Sequence, residues 1–196
     1  DQHSEDDAAP GALSVGAPRT GMDIAILDEA GAHAERGEIC VRGPGVFAGY
    51  FQNDAANEKA FRQGWFHTGD LGFLDAQGFL HITGRASDMF ISGGSNIYPR
   101  EVEEALLTHP SVAECAVVGL PDPRWGESGV ACVVLAGPAE AADLLAHLDG
   151  RLARYKHPRR FVFWAELPKS AYGKVPKTLL AERLRAEGVA FDRAPG

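Results

Sequence analysis

Sulfur is scarce in this chain: 196 residues hold two methionines and three cysteines, Cys40, Cys115 and Cys132, widely spaced and each set in an apolar run. An odd, scattered set of thiols excludes a disulfide framework and offers no clustered thiolates to a structural metal. It suits reduced thiols packed in a core, and no metal ligand set is expected in this segment. Positive charge is also in deficit, with 19 Lys and Arg against 27 Asp and Glu and a net charge of −8. That excludes broad, sequence-independent binding of nucleic acid, because nothing would neutralise a phosphate backbone over a large face. No apolar run approaches the roughly 20 residues a membrane-spanning helix needs, so no transmembrane segment is expected. The opening Asp1-Gln2-His3-Ser4-Glu5-Asp6-Asp7 is the opposite of a signal peptide, and cytoplasm is the expected location.

Glycine, by contrast, is abundant at 23 residues and punctuates the first half. Residues 1–13, acidic and small, read as a loop. Up to about Thr83 the pattern is of short strands: 22–28, 37–42, then 71–74 and 79–83 around the turn sequence Asp75-Ala76-Gln77-Gly78. A short helix is expected over 54–61, capped by Asp54 or Asn53. Composition changes near Gly84-Arg85. Beyond it the reading is a strand over 88–92, a helix from Pro99 to Leu107, strands over 112–120 and 127–136, a helix over 139–152, a strand over 161–164 and a helix over 178–187. In the 139–152 helix Leu144, Leu145, Leu148 and Leu152 are placed on one face. The fold class is therefore α+β, with a β-rich part over 1–84 followed by a small α+β domain over 85–196 whose helices pack on a short sheet.

Four segments carry candidate chemistry. Trp65-Phe66-His67-Thr68-Gly69-Asp70 sets a carboxylate directly after a glycine, in what reads as a loop before a strand, where it can accept hydrogen bonds from a ribose diol. Gly84-Arg85-Ala86-Ser87-Asp88 precedes Ser92-Gly93-Gly94-Ser95-Asn96-Ile97-Tyr98-Pro99-Arg100-Glu101. Arg85 supplies a planar fork of donors, and the glycine pair permits positive φ and close approach of a ligand. Pro168-Lys169-Ser170-Ala171-Tyr172-Gly173-Lys174 places mobile cations on a glycine-containing loop. The Walker phosphate-loop pattern is absent from it. Last, Trp125 beside Arg124, and Tyr155, His157 and Arg159, put aromatic faces next to cations. Taken singly, each segment also reads as plain structure: a turn, a capped helix, a solvated basic loop, aromatics covering a sheet.

In combination and in this order the segments resemble the adenylate-forming superfamily of acyl- and aryl-CoA ligases, luciferases and peptide-synthetase adenylation domains. The resemblance runs from about Ser14 to about Leu184 and is nearest the CoA-ligase branch. It implies a last, barrel-like β subdomain of a large domain, then a mobile small lid domain. The implied reaction is attack of a carboxylate on the α-phosphate of Mg-ATP, then displacement of AMP by the CoA thiol, with ATP, Mg2+ and CoA required. Fatty-acid metabolism is the setting expected, although fatty, aryl and dicarboxylic acids all remain open.

By the same resemblance Asp70 holds the ribose hydroxyls, Arg85 lies beside the nucleotide, and Lys174 reaches the α-phosphate and the acyl carboxylate. Ser87 occupies the hinge, where relatives usually carry aspartate or lysine. Ser92, Gly93 and Gly94 line the pantetheine passage, and Trp125, Tyr155, His157 and Arg159 lie where some relatives contact the CoA nucleotide. The superfamily's Gly/Ser/Thr-rich phosphate loop and its Tyr-Gly-x-Thr-Glu segment, which supplies a magnesium ligand, do not occur in these residues. The chain alone is accordingly expected to be inactive, as part of a longer acid:CoA ligase. Alternatives are an adenylation domain that loads a carrier protein, and a natural, non-catalytic binding module of the same fold.

Overall fold

The structure, a computed structural model, describes residues 14–171 and 173–191; the stretch 1–13, expected as a loop, and Tyr172 lie outside the described residues. The chain divides between Ser87 and Asp88 into two units. The first contains β1 (Ser14–Gly16), β2 (Asp23–Leu27), β3 (Gly37–Arg42), α1 (Asp54–Ala60), β4 (Phe61–Arg62), β5 (Trp65–Leu74) and β6 (Leu80–Arg85). Among the described residues these strands form one antiparallel sheet in the order β1-β6-β5-β3-β2, with β4 added to β5. Alternation sends Ala25, Leu27 and Cys40 to one face and Ile26, Ile39 and Leu80 to the other, where each set is buried. The expected hairpin is present: Asp75 Oδ1 accepts from the Gln77 and Phe79 amides, and Leu74 pairs with Leu80 across the turn. Asn53, not Asp54, caps α1, accepting from the Ala56 amide at 3.1 Å. One expectation is corrected here. Residues 65–70 are not a loop before a strand but the first half of β5, which pairs with β3 and β6.

The second unit contains β7 (Phe90–Ser92), β8 (Ser95–Ile97), α2 (Pro99–Leu107), β9 (Val112–Asp122), β10 (Gly126–Leu135), α3 (Ala141–Leu148), β11 (Arg160–Phe163) and α4 (Lys177–Ala186). A turn of 3₁₀ helix precedes it at Ala86–Asp88, where the sequence suggested the start of a strand. Strand β10 pairs with β9 along its length, with β7 at Gly126, and in parallel with β11 from Val130 to Val133. That parallel pair requires a crossover, which α3 provides.

Both faces of this sheet are apolar. Val117, Ala131 and Val133 pack with Val102, Leu106, Leu144 and Leu148 of α2 and α3, while Ala116, Val118, Val130 and Cys132 pack with Leu180 and Leu184 of α4. Helix α2 begins at Pro99, whose missing amide proton costs nothing at a first helical position, and its buried Val102, Ala105 and Leu106 follow helical spacing. Helix α3 is shorter than expected. A reciprocal capping box between Glu140 and Asp143 starts it, and extended backbone at Asp149 ends it. Leu144 and Leu148 are fully buried, whereas Leu145 is 37% exposed and lies off the buried face.

Candidate functional site

In the first unit Asp70 of β5 stands directly opposite Arg85 of β6, and their side chains meet, Arg85 Nε lying 3.0 Å from Asp70 Oδ1. Both stay hydrated, with 27% of the Asp70 side chain and 63% of the Arg85 side chain exposed, so the pair is open to a ligand rather than sealed. Gly69 just before has φ 73°, a conformation glycine adopts without penalty. The Asp70 amide donates to Thr68 Oγ1 at 3.1 Å, and that hydroxyl donates to the Ile39 carbonyl at 2.7 Å.

Behind this turn lie Glu38, Cys40, Arg62 and His67, none of which the sequence reading assigned a role. Glu38 Oε1 accepts from the Gly69 amide at 3.0 Å, and Glu38 Oε2 is 2.7 Å from His67 Nδ1. The Arg62 guanidinium comes within 2.9 Å of the same His67 nitrogen and 3.3 Å of Glu38 Oε2. Donor atoms of Glu38, Cys40 and His67 lie within 4.8 Å of one another. Yet the guanidinium already takes the place a cation would need, and a thiol kept protonated by burial, its pKa pushed up to about 11, is a poor ligand. Nor does this mixed nitrogen, sulfur and carboxylate set fit Mg2+, which asks for six oxygens. Ser87, exposed, lies in the 3₁₀ turn that closes this unit.

In the second unit the structure brings Ser92, Gly93, Gly94, Trp125 and Arg159 together. Ser92 pairs with Ser95 across a two-residue turn in which Gly93 and Gly94 have φ 58° and 82°. Positive φ at both central positions is the hairpin geometry whose twist matches the strands. The Gly93 amide donates to the Trp125 carbonyl at 2.8 Å, and a Cβ on Gly93 would lie 2.8 Å from the Trp125 ring; one on Gly94 would meet nothing.

Two guanidinium groups lie over the Trp125 ring, Arg159 at 4.5 Å and Arg124 at 5.0 Å from its centre. Its turn is held by buried Asp122, which accepts from the Arg124 amide at 2.8 Å, the Trp125 amide at 3.3 Å and Ser128 Oγ at 2.5 Å. Burial pushes the Asp122 carboxyl up, but these hydrogen bonds and Arg159 outweigh it and hold the group below the usual carboxylate range.

Tyr155 is 56% exposed in the 3₁₀ turn Arg154–Lys156. His157 Nε2 donates to the Leu152 carbonyl at 3.1 Å, so its ring is engaged by its own loop. Lys174 is exposed, and its carbonyl accepts from the Ser170 amide at 2.7 Å. Among the described residues its ammonium makes no hydrogen bond or ion pair. Lys177, nearby in sequence, is instead paired with Glu103.

Residues 101–174 match the family described as the AMP-binding enzyme C-terminal domain. This chain carries an AMP-binding C-terminal domain. The likeness extends beyond the domain itself. The 2-succinylbenzoate–CoA ligase of Bacillus velezensis is 46% identical over 176 residues, 89% of this chain and 36% of that protein. The Bacillus subtilis ligase of the same name is 46% identical over 153 residues, 78% of this chain and 32% of that protein.

Solved structures agree. The o-succinylbenzoate CoA synthetase of Bacillus subtilis, in complex with its acyl-adenylate intermediate, superposes with TM-score 0.80 at 45% identity, over 85% of this chain and 35% of that one. ATP-bound MatB from Rhodopseudomonas palustris gives 0.81 at 38% identity, over 92% and 37%. The amide bond synthetase McbA from Marinactinospora thermotolerans gives 0.81 at 35% identity, over 87% and 36%. The AMP-binding C-terminal domain and its preceding strands thus span about a third of the length of these relatives. The acid in the ligases' names, 2-succinylbenzoate, is not a fatty acid, and the expected setting in fatty-acid metabolism draws no support from them. No helix among the described residues is long and apolar enough to cross a membrane.

Proposed function

We propose that this chain is the C-terminal part of an AMP-forming, ATP-dependent acid:CoA ligase, with the residues up to Ser87 closing the large domain and those after it forming the mobile small one. The observation that carries the reading is the Asp70–Arg85 pair: a half-exposed carboxylate and a guanidinium on adjacent strands, 3.0 Å apart. A carboxylate accepts both hydroxyls of a ribose diol, and a guanidinium beside it suits the oxygens of the attached nucleotide.

In the first half-reaction the acid attacks the α-phosphorus and pyrophosphate leaves. Negative charge gathers on the oxygens around phosphorus, and an exposed ammonium such as that of Lys174 can be delivered there to stabilise it. In the second half-reaction the CoA thiol attacks the acyl carbon and AMP leaves. Ser92, Gly93 and Gly94 would line the pantetheine passage, and Trp125, Arg159, Tyr155 and His157 would meet the CoA nucleotide. Trp125 with the Arg124 and Arg159 guanidinium groups beside it puts an aromatic ring next to cations, a pairing suited to a purine and its phosphates. Ser87, which ends the first unit, is the proposed pivot between the two arrangements. Mg2+ enters with ATP on ligands outside this chain, and no step here passes through it. By their names the relatives make 2-succinylbenzoate the first acid to offer. The alternative acceptor is the phosphopantetheine arm of a carrier protein.

The test uses the full-length polypeptide that contains this sequence. Acid-dependent exchange of pyrophosphate into ATP reports the first step, and thioester formation from preformed acyl-adenylate the second. Lys174→Ala should slow the first by about 10²–10³-fold and leave the second nearly intact. Equal loss in both steps overturns the role given to Lys174. The isolated chain should release no AMP from ATP, acid and CoA, and detectable release would overturn its assignment as one part of the catalyst.

A further inference from the structure

The ladder between β3 and β5 is broken at one place. Cys40 pairs with His67 and Glu38 with Leu71, so two steps along β3 span four along β5. The surplus falls on the segment from Thr68 to Asp70, the part of β5 that presents the proposed ribose ligand. A bulge re-aims a side chain, but it also frees backbone groups that a regular ladder would bind. Here the freed groups are taken up by side chains. Thr68 Oγ1 bridges the Asp70 amide and the Ile39 carbonyl. The carboxylate of Glu38 reaches the centre of the bulge and its edge, the Gly69 amide at 3.0 Å from one oxygen and His67 Nδ1 at 2.7 Å from the other. Arg62 stands 3.3 Å from that second oxygen.

Glu38 is only 23% exposed and His67 only 9%. A largely desolvated carboxylate is costly unless its lone pairs are filled, and here the Gly69 amide donates to one oxygen and the Arg62 guanidinium to the other, beside which His67 Nδ1 lies. A regular strand pair at this place would need none of this apparatus.

We infer that Glu38 is a positioning residue of the nucleotide site. Through the Gly69 amide and His67 it fixes the bulge and thereby the carboxylate of Asp70, without touching the nucleotide itself. The inference rests on the reading that Asp70 receives the ribose hydroxyls.

The experiment compares ATP with 2′-deoxy-ATP and 3′-deoxy-ATP in the full-length polypeptide carrying Glu38→Ala, Glu38→Gln or Asp70→Ala. Glu38→Ala should raise KM for ATP about tenfold, the worth of roughly one well-made hydrogen bond, with the loss on KM rather than kcat. The preference for ATP over the deoxy analogues should shrink toward that of Asp70→Ala. Glu38→Gln keeps one oxygen for the Gly69 amide and should fall between wild type and Glu38→Ala. In the chain itself, the Gly69 amide should exchange with solvent faster in Glu38→Ala.

A fall in kcat or in active fraction, with KM and the ribose preference unchanged, would make Glu38 a residue of the fold alone and sink the inference. So would an unaltered Gly69 amide. If Asp70→Ala itself leaves the deoxy-ATP preference untouched, the ribose role of Asp70 is what fails, and that result is separable from the state of the Gly69 amide.

Discussion

At the scale of single residues, what matters is which atoms share a turn. Gly93 shows this: its φ of 58° already disfavours any side chain, and a Cβ would enter the Trp125 ring at 2.8 Å. Gly93→Ala should therefore cost about 1–2 kcal/mol from backbone strain, read as a lower urea midpoint, and displace Trp125. In the full-length polypeptide the thioester step should suffer and adenylation should not. Gly94→Ala, with open space around it, should leave Trp125 in place. The sequence marked Gly93, Gly94 and Trp125 separately, from a glycine pair and an aromatic beside cations; that one lies against the other could not be read, because strand pairing brings them together. Glu38 escaped for the same reason. In the sequence it is one acidic residue in an apolar strand, and only the irregular pairing of β3 with β5 gives it a task.

Elements were more legible than their edges. The helix beginning at Pro99 and the long strands before and after the Pro123–Trp125 turn follow from composition and period, and both strands were found within two residues. Strand β8 was missed, since three residues between a glycine turn and a proline are too few for alternation to register. Residues 65–70 read as a loop because Thr68-Gly69-Asp70 has turn composition, and a bulge uses the same residues as a turn. Helix α3 is shorter than its helical spacing suggests, and Leu145, which that spacing puts on one face with Leu144 and Leu148, lies at the margin of the buried stripe. The structure makes the two kinds of leucine testable. Leu144→Ala and Leu148→Ala, both fully buried, should each cost about 2–5 kcal/mol, whereas Leu145→Ala should stay within about 0.5 kcal/mol. Urea denaturation followed by circular dichroism decides between them.

For the whole molecule, titration sets the limits of stability. Burial pushes the thiols of Cys115 and Cys132 up to about 12 and that of Cys40 to about 11, from an ordinary value of 9.0. Groups raised by folding contribute fully below the ordinary value, and that contribution is lost as pH climbs from 9 through the folded values. On the acid side burial, with Arg151 and His109, lowers His147 from 6.5. The His81 ring and the Phe79 amide lower Asp75, and the Trp164 indole and Arg183 lower Glu187. These contributions hold above the ordinary values and vanish as pH falls through the folded ones. The melting temperature should thus be flat between about 6.5 and 9, decline on both sides, and drop more steeply below about 4. A maximum outside that window would refute the assignment. Of these three free thiols Cys40 and Cys132 are buried and Cys115 is half-buried.

The β9–β10 hairpin carries one more consequence, for the order in which the chain assembles. Its strands are joined by only three residues and hold a ladder from Gly126–Asp122 to Leu135–Val112. Closing so short a loop costs little entropy, whereas β11 must wait for α3 and β1 must find β6 across nearly the whole first unit. The hairpin is thus the natural nucleus of the second unit, and the Asp122 turn that would start it is the same turn that holds Trp125, the proposed contact of the CoA nucleotide. Folding speed and the surface proposed for the CoA nucleotide are then subject to one set of hydrogen bonds, so a change that loosens the turn is felt first in the test tube as slow refolding.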